Sequence, residues 1–233
     1  MTIYILHGWD LSSEVKKKWY LFSQQFLSSG ININLILLPG FDKPLKKVFF
    51  LNDYVEFVKN QLPKGKNIIL GHSFGGQIAI RLAKKYPYAV SNLILMDNNG
   101  LKDKRLKKII KRNVGLILAK IGKFFTKNEK IRKFFYQLLG ERDYFQAPLL
   151  LKKTMTNVLA DSIEKDLKDI KQPTLIIWGQ FDTYTPLYFT KILKTNISQA
   201  FIKVIPQAYH NPYFTHPQEC SLIIQNWLER QNL

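Results

Sequence analysis

The sequence predicts an α/β protein in which a mostly parallel sheet is flanked by helices. Short apolar segments rich in β-branched residues alternate along the chain with longer segments in which apolar residues recur at helical spacing. Strands that alternate with helices form parallel sheets with helices on both faces. The chain has 233 residues, 46% of them hydrophobic, which is enough for one sizeable core.

The predicted elements follow one another in a regular order. In the first helix four apolar residues share one side, Trp19, Phe22, Phe26 and Leu27, and Gly30 follows its end. The second strand stops at Pro39-Gly40. The strands are predicted at about 3–6, 31–38, 67–70, 93–96, 175–178 and 201–205. The helices are predicted at about 13–28, 52–62, from the third strand to 85, and 217–230.

One segment departs from this alternation. No strand is recognisable between residues 101 and 170, and its apolar residues recur at helical spacing. We therefore expect residues 101–170 to form a helical cap, inserted into a core made of residues 1–100 and 171–233. The first half of this cap is basic, because positions 102 to 133 contain thirteen Lys and Arg and only two acidic residues.

The whole chain is strongly basic, with 35 Lys and Arg against 17 Asp and Glu and a net charge of +18. This balance is typical of proteins that bind anionic lipids, nucleic acids or acidic partners, and it also arises from compositional bias alone. Lys mixed with Ile, Leu and Phe in the cap suits an anionic lipid or an acidic carrier better than nucleic acid. The single cysteine, Cys220, excludes an intramolecular disulfide. We expect no signal peptide, no transmembrane segment and a cytoplasmic location.

A candidate nucleophile lies in the segment Gly71-His72-Ser73-Phe74-Gly75, which matches the G-x-S-x-G pattern. The segment follows an apolar strand and opens a helix, which is the context that this pattern requires. Glycines on both sides of the serine relieve crowding in a sharp turn between strand and helix. The serine hydroxyl is thereby exposed above the sheet, and we expect Ser73 to be the nucleophile.

A serine hydroxyl needs a general base, and the sequence offers four histidines for that role. His7 and His72 lie inside other motifs, and His216 precedes Pro217 at the start of the last helix. His210 lies just after the last strand, at the sheet edge where open α/β sheets bind ligands. We expect His210 to be the base.

An acidic residue is needed to orient that base. Asp182 follows the strand that ends at Trp178-Gly179, and it is the favoured candidate. Asp97 is the rival, because it also follows a strand and therefore lies at the same edge. The developing oxyanion needs two N–H donors. We expect them to be the main-chain groups of Phe74, directly after the nucleophile, and of Trp9, in the loop after the first strand.

Four sequence pieces resemble those of the α/β-hydrolase superfamily over nearly the whole chain. They are Leu6-His7-Gly8-Trp9, the segment from Gly71 to Gly76, Trp178-Gly179-Gln180-Phe181-Asp182 and His210-Asn211-Pro212. The first piece and the helical insertion resemble the carboxylesterase branch, which includes the esterases that act on pimeloyl–acyl carrier protein methyl ester. The resemblance implies a Ser–His–Asp triad, a helical cap, and neither a metal nor another cofactor. Family members usually begin with an antiparallel hairpin, which we expect to be missing here.

These observations favour a serine carboxylic-ester hydrolase that acts through an acyl-enzyme on a small or medium-chain ester, thioester or lactone. We expect five aromatic residues to contact the substrate: Trp9, Phe74, Phe124, Phe134 and Tyr144. Two other functions stay open. The chain could be a triad-bearing receptor for a small molecule with slow turnover, or a protein whose basic cap binds anionic membrane surfaces.

Overall fold

The apolar segments of the chain form one six-stranded sheet in which all neighbouring strands run parallel. The computed structural model describes residues 1–12, 14–102 and 147–232. The strands are β1 (Thr2–Leu6), β2 (Asn32–Ile36), β3 (Asn67–His72), β4 (Val90–Met96), β5 (Thr174–Gly179) and β6 (Ala200–Ile205). Their order across the sheet is β2-β1-β3-β4-β5-β6. This architecture confirms the predicted fold class.

Helices cover both faces of the sheet. They are α1 (Val15–Ser23), α2 (Leu51–Gln61), α3 (Phe74–Lys85), α4 (Leu149–Ala160), α5 (Phe189–Asn196), α6 (Pro212–Thr215) and α7 (Pro217–Glu229). Short 3₁₀ helices lie at Gln24–Phe26, Pro87–Ala89 and Leu167–Asp169. The first predicted helix was too long, because the chain tightens into a 3₁₀ turn after Ser23. Within the described ranges, no helix is long and apolar enough to cross a membrane.

The sheet separates two hydrophobic cores, because successive strand residues point to opposite faces. In β3, Ile69 packs into the core that α2 and α3 cover, and Leu70 packs into the core that α1 and α7 cover. Every residue of β3 is buried, as expected for a central strand of a parallel sheet. This burial fixes the end of β3, from which Ser73 follows.

Helix α4 belongs to the part of the predicted cap that the structure describes. Its carboxyl end is attached to α3, since Gln77 Nε2 donates to the carbonyl oxygen of Val158 over 3.0 Å. Arg81 Nη2 also lies 2.9 Å from Asp161 Oδ1 and pairs with Asp166 through Nε. Residues 147–170 contain no strand, whereas residues 103–146 lie outside the described part. The cap boundaries 101–170 therefore stay a prediction.

All carboxyl ends of the strands meet at one edge of the sheet, because the strands are parallel. The loop after β1 carries His7, the loop after β3 carries Ser73, and the loop after β4 carries Asp97. Asp182 follows β5 and His210 follows β6. Ligands of open α/β sheets bind at this edge, so the fold brings the polar residues singled out from the sequence to one place.

Candidate active site

Ser73 occupies the turn between β3 and α3 in an unusual backbone conformation. Its φ is 50° and its ψ is −114°, a region that residues with a Cβ rarely adopt. The turn is held because the Ser73 N–H donates to the carbonyl oxygen of Met96 over 2.9 Å, and its own carbonyl oxygen accepts from Gly76 and Asn99 over 3.1 Å. Strain of this kind is typical of functional sites, where the surrounding structure holds the residue in place.

The glycines around Ser73 allow the strand, the turn and the helix to approach one another closely. A Cβ on Gly75 would lie 1.9 Å from the carbonyl oxygen of Leu6, and one on Gly71 would lie 2.5 Å from the Cα of Gly76. A Cβ on Gly76 would lie 2.0 Å from Asn98 Oδ1. No side chain fits at these positions without movement of the backbone or of a buried amide. The glycine spacing that predicted the turn therefore has a steric cause.

His210 lies directly beside Ser73. The Nε2 atom of His210 is 3.0 Å from Ser73 Oγ, and its Nδ1 atom is 2.8 Å from Asp182 Oδ2. The His210 loop is held against the end of β5, where a Cβ on Gly179 would lie 2.2 Å from the carbonyl oxygen of Tyr209. With its Nδ1 proton donated to Asp182, the neutral imidazole presents Nε2 as the acceptor for the Ser73 hydroxyl. The three predicted residues thus form one continuous hydrogen-bonded chain.

Hydrogen bonds stabilise the ionised form of Asp182, although its side chain is fully buried. Its Oδ1 accepts the main-chain N–H groups of Tyr184 and Thr185 over 2.8 and 3.0 Å. Its Oδ2 accepts from the hydroxyl of Thr185 as well as from His210. Burial raises the pKa of Asp182, but the hydrogen bonds from His210 and Thr185 outweigh burial and hold that pKa below its ordinary value.

Thr185 was not singled out from the sequence, and the structure places it at the centre of the site. Its hydroxyl reaches Asp182 Oδ2 and lies 3.4 Å from His210 Nδ1. Its carbonyl oxygen accepts the indole N–H of Trp178 over 2.8 Å, which fixes the loop after β5. The only sequence signal is its position three residues after the candidate acid, where a hydroxyl can fold back on a carboxylate.

Asp97, the rival candidate for the acid, is fully buried behind Asp182. One of its oxygens accepts the main-chain N–H of Gly179 over 2.9 Å. Burial and the neighbouring Asp182 carboxylate raise the pKa of Asp97 well above its ordinary value. Asp182, not Asp97, therefore carries the negative charge that faces His210 in this arrangement.

Two further histidines support the loops around the site. His7 accepts the main-chain N–H of Leu38 at Nε2 over 3.0 Å, and its Nδ1 lies 2.7 Å from the carbonyl oxygen of Gly8. His72 donates from Nε2 to the carbonyl oxygen of His210 over 2.8 Å. Burial and the nearby His210 lower the pKa of His72 to about 3, so His72 stays neutral. The fourth histidine, His216, precedes α7 and lies outside the hydrogen-bonded chain.

The two expected oxyanion donors lie on segments that border Ser73. Phe74 is the first residue of α3, and N–H groups in a helix's first turn have no partner within the helix. The loop with Gly8 and Trp9 passes close by, because a Cβ on Gly8 would lie 2.6 Å from His72 Nδ1 and 3.2 Å from the Ser73 Cβ. The helix N-terminus also favours negative charge at this point.

An open cleft of about 710 Å³ lies over Ser73 and His210. Its apolar walls come from both the core and α4: Trp9, Leu101, Met155, Leu159, Pro186 and Phe189. The Phe74 ring, another expected contact, is 2% exposed and packs with 5.0 Å between its centroid and that of the Tyr54 ring. Within the described ranges it does not line the cleft. Phe124, Phe134 and Tyr144, the other expected contacts, lie outside the described residues.

The three side chains Asp97, Asp182 and His210 also form a group that could offer ligands to a cation. Their nearest donor atoms lie within 4.8 Å of one another. A cation there would displace the hydrogen bond between His210 Nδ1 and Asp182 Oδ2. The arrangement is therefore better suited to moving a proton from Ser73 Oγ to His210 Nε2 than to holding a metal.

Comparison with known proteins agrees with this geometry. Residues 3–221 match the sequence pattern of the alpha/beta hydrolase family. A pimeloyl–acyl-carrier-protein methyl ester esterase of Wigglesworthia glossinidia brevipalpis is 28% identical in an alignment 259 residues long. The alignment covers 100% of this chain and 95% of that protein. An esterase of the same name from Aromatoleum aromaticum is 24% identical, covering 95% of this chain and 96% of the relative.

A solved structure has the same fold. It is MGS-MChE2, an alpha/beta hydrolase enzyme from the metagenome of sediments of the Mar Chica lagoon in Morocco. The TM-score is 0.69 at 21% sequence identity, and the match covers 100% of this chain and 92% of the other. At this identity the likeness concerns the fold alone.

Proposed function

Because the chain belongs to the α/β-hydrolase family, we propose that it is a serine carboxylic-ester hydrolase. Ser73 is the nucleophile, His210 the general base and Asp182 the acid that orients it. The observation that carries the proposal is the unbroken chain of contacts, 3.0 Å from Ser73 Oγ to His210 Nε2 and 2.8 Å from His210 Nδ1 to Asp182 Oδ2. This chain supports both proton transfer and stabilisation of the imidazolium.

The first half of the reaction forms an acyl-enzyme. His210 Nε2 takes the proton of Ser73 Oγ while that oxygen attacks the carbonyl carbon of the ester. Asp182 stabilises the resulting imidazolium through its hydrogen bond to Nδ1. The tetrahedral intermediate then collapses, its bond to the alcohol oxygen breaks, and His210 gives its proton to the departing alcohol.

The oxyanion of each tetrahedral intermediate is bound by main-chain N–H groups. Phe74 and Trp9 supply these groups, one from the N-terminus of α3 and one from the loop after β1. Donors that are fixed before the reaction need no reorganisation when charge develops, so they stabilise the transition state more than the substrate. Removal of one such donor typically lowers the rate by a factor of about 10² to 10³.

The second half of the reaction releases the acid. A water molecule enters the cleft after the alcohol leaves, and His210 Nε2 takes one of its protons as the water oxygen attacks the acyl carbon. The bond to Ser73 Oγ breaks, and His210 returns the proton to that oxygen. The products are one alcohol and one carboxylic acid, and the enzyme is restored without a cofactor.

The substrate is an ester with an apolar acyl chain of small to medium length. The cleft volume of about 710 Å³ and the apolar side chains of Met155, Leu159 and Phe189 suit such a chain. Relatives that match nearly the whole chain are named as esterases for the methyl ester of pimeloyl–acyl carrier protein. The net charge of +18 suits an acidic carrier. We therefore infer a carrier-linked methyl ester as the specific substrate.

Hydrolysis of p-nitrophenyl esters from acetate to palmitate tests the esterase proposal. Wild type, Ser73→Ala and the control Ser23→Ala are compared. Ser23 is a suitable control because it lies on α1, outside the candidate site, and its hydroxyl donates to the carbonyl oxygen of Tyr20. We expect wild type and Ser23→Ala to cleave part of the series and Ser73→Ala to lose nearly all activity. Equal rates for all three proteins on every ester would overturn the proposal and favour a small-molecule receptor with slow turnover.

A second comparison tests the carrier. The methyl ester of a medium-chain diacid is offered both free and attached to an acyl carrier protein. A kcat/KM at least tenfold higher for the carrier-linked ester, with a gain that shrinks as salt is added, supports recognition of an acidic carrier. Equal values for both forms would contradict it, while leaving the esterase proposal intact.

A further inference from the structure

Two carboxyl groups approach His210 from neighbouring strands. Asp97 directly follows β4, and Asp182 follows the adjacent strand β5. The nearest side-chain donor atoms of Asp97, Asp182 and His210 all lie within 4.8 Å of one another. A Ser–His–acid chain needs only one of these carboxyl groups, so the other requires a separate explanation.

The backbone holds Asp97 firmly in this position. Its φ of 44° lies in the left-handed region, which costs free energy for a residue with a Cβ. Its N–H donates to the carbonyl oxygen of Ile177 over 3.1 Å, and its carbonyl oxygen lies 3.2 Å from the hydroxyl of Thr185. The side chain is therefore directed towards the site by contacts to β5 and to the loop that carries Asp182.

The Asp97 carboxyl is enclosed by the end of β5 and by the Asp182 carboxyl. Oδ1 accepts from the N–H of Gly179, and a hydrogen bond with the Asp182 carboxyl favours the protonated form of Asp97. Burial makes an ionised Asp97 costly, and the ionised Asp182 beside it adds repulsion. Both effects raise the pKa of Asp97. Asp97 is thus a neutral acid next to a charged one.

We propose, building on the proposed hydrolase function, that Asp97 is a reserve positioning residue. It is neutral while Asp182 holds the charge, and it becomes the carboxylate partner of His210 when Asp182 is removed. Burial and the Asp182 charge together keep Asp97 protonated. Loss of Asp182 removes the repulsion, and an imidazolium at His210 would offset the cost of burying the Asp97 charge. Asp97 then releases its proton to solvent, and its carboxylate, which lies within 4.8 Å of His210 and has lost its contact with Asp182, moves to accept the Nδ1–H of His210.

Removing Asp182 with and without Asp97 tests this inference. Loss of the triad acid alone typically lowers kcat by about 10⁴-fold. We expect Asp182→Ala to lose only about 10- to 10²-fold, because Asp97 replaces the lost carboxylate. The double variant Asp182→Ala/Asp97→Asn should lose at least a further tenfold. The matched control is Asp182→Ala/Asp169→Asn, since Asp169 precedes β5 at the opposite edge of the sheet. It should behave like Asp182→Ala.

A spectroscopic readout separates this inference from the esterase proposal. The far-downfield proton resonance of an imidazole Nδ1–H that is bonded to a carboxylate reports the partner of His210 without any substrate. We expect it in wild type and in Asp182→Ala, and we expect it to vanish in Asp182→Ala/Asp97→Asn. Its disappearance in Asp182→Ala would overturn the reserve role even if wild type proves to be an esterase. Its persistence would support the role even if no tested ester is cleaved.

Circular dichroism of each variant verifies that it is folded. Should Asp182→Ala not fold, Asp182→Ser takes its place in all comparisons. A serine hydroxyl still accepts from the N–H groups of Tyr184 and Thr185 that Asp182 satisfies. Equal activity and equal spectra of the single and double variants, in either background, would contradict the inference.

Discussion

The imidazole of His72 donates a hydrogen bond to the main-chain carbonyl oxygen of His210, over 2.8 Å. The residue immediately before the candidate nucleophile thus fixes the backbone of the candidate base, which is 137 positions after Ser73 along the chain. The ring of His72 also contacts the ring of Tyr213, with 4.9 Å between centroids. The end of β3 and the loop after β6 are thereby joined beside the reacting atoms.

We predict that His72→Leu lowers kcat more than it changes KM. Without the donor at Nε2 the His210 loop loses one of its anchors, and small displacements of a catalytic group cost up to about 10²-fold in rate. His72→Gln keeps an N–H donor and should lose less. Steady-state kinetics on one p-nitrophenyl ester measures both variants. Equal losses in His72→Leu and His72→Gln would show that the donor has no positioning role.

The pH profile provides a second check on His72. Its pKa of about 3 leaves it neutral at any pH at which an unperturbed histidine titrates. We therefore expect kcat/KM of His72→Leu to follow the same profile shape as wild type between about pH 5 and 8. Complete loss of the acidic limb in the variant would mean that His72 itself titrates in this range.

Thr185→Val is predicted to lower kcat/KM about tenfold or more. The valine keeps the volume and the main-chain N–H but removes the hydroxyl that donates to Asp182 Oδ2. Hydrogen bonds to charged groups contribute about 1.5–3 kcal/mol, and each 1.4 kcal/mol corresponds to about tenfold in rate. Thr185→Ser keeps the hydroxyl and should stay within a few fold of wild type. If the two variants are equally impaired, packing rather than the hydroxyl is responsible.

Gly75→Ala is predicted to prevent folding or to lower the free energy of unfolding by more than about 3 kcal/mol, because its Cβ would lie 1.9 Å from the Leu6 carbonyl oxygen. Gly30→Ala is the matched control. Gly30 has a φ of 69° and open space around its Cβ position, so only the backbone strain of about 1–2 kcal/mol remains. Urea unfolding measures both variants, and equal midpoints would contradict the steric account.

The buried Asp97 should make the protein less stable as pH rises. Its folded pKa is raised, so above its unfolded pKa of about 3.9 the folded state still binds a proton that the unfolded state has released. The contribution of this group to stability is therefore full at low pH and decreases as pH rises towards the folded pKa. Asp97→Asn lacks this dependence. Urea midpoints of both proteins should diverge in favour of Asp97→Asn as pH rises, and a constant difference would refute the prediction.

Much of the fold is predictable from local sequence. Four of the strands are followed directly by a polar residue, at His7, Ser73, Asp97 and Gln180. The turn at Ser73 requires glycines at 71, 75 and 76 because backbone segments meet there. Helix α5 (Phe189–Asn196) was missed although Phe189, Ile192 and Leu193 recur at helical spacing. The helix has only eight residues, and this is too short a stretch to be separated from a loop by its pattern alone.

The candidate site is predictable where a motif names the residue, and not where only tertiary contacts give it a role. Ser73, Asp182 and His210 follow strands in recognisable contexts, and the structure brings them within hydrogen-bonding distance. The environment of Thr185 and the neutral state of Asp97 depend on two strand ends that are distant in sequence. No local pattern encodes how closely such ends approach each other.

The most direct test of the account is covalent labelling with an alkyl p-nitrophenyl phosphonate, followed by mass spectrometry of the intact and digested protein. The Ser73 oxygen should attack phosphorus, p-nitrophenolate should leave, and one phosphonyl group should remain on the peptide that contains Ser73. We predict a single adduct in wild type, none in Ser73→Ala and much slower labelling in His210→Ala. No adduct in wild type, or equal labelling of Ser73→Ala at another residue, would contradict Ser73 as the nucleophile.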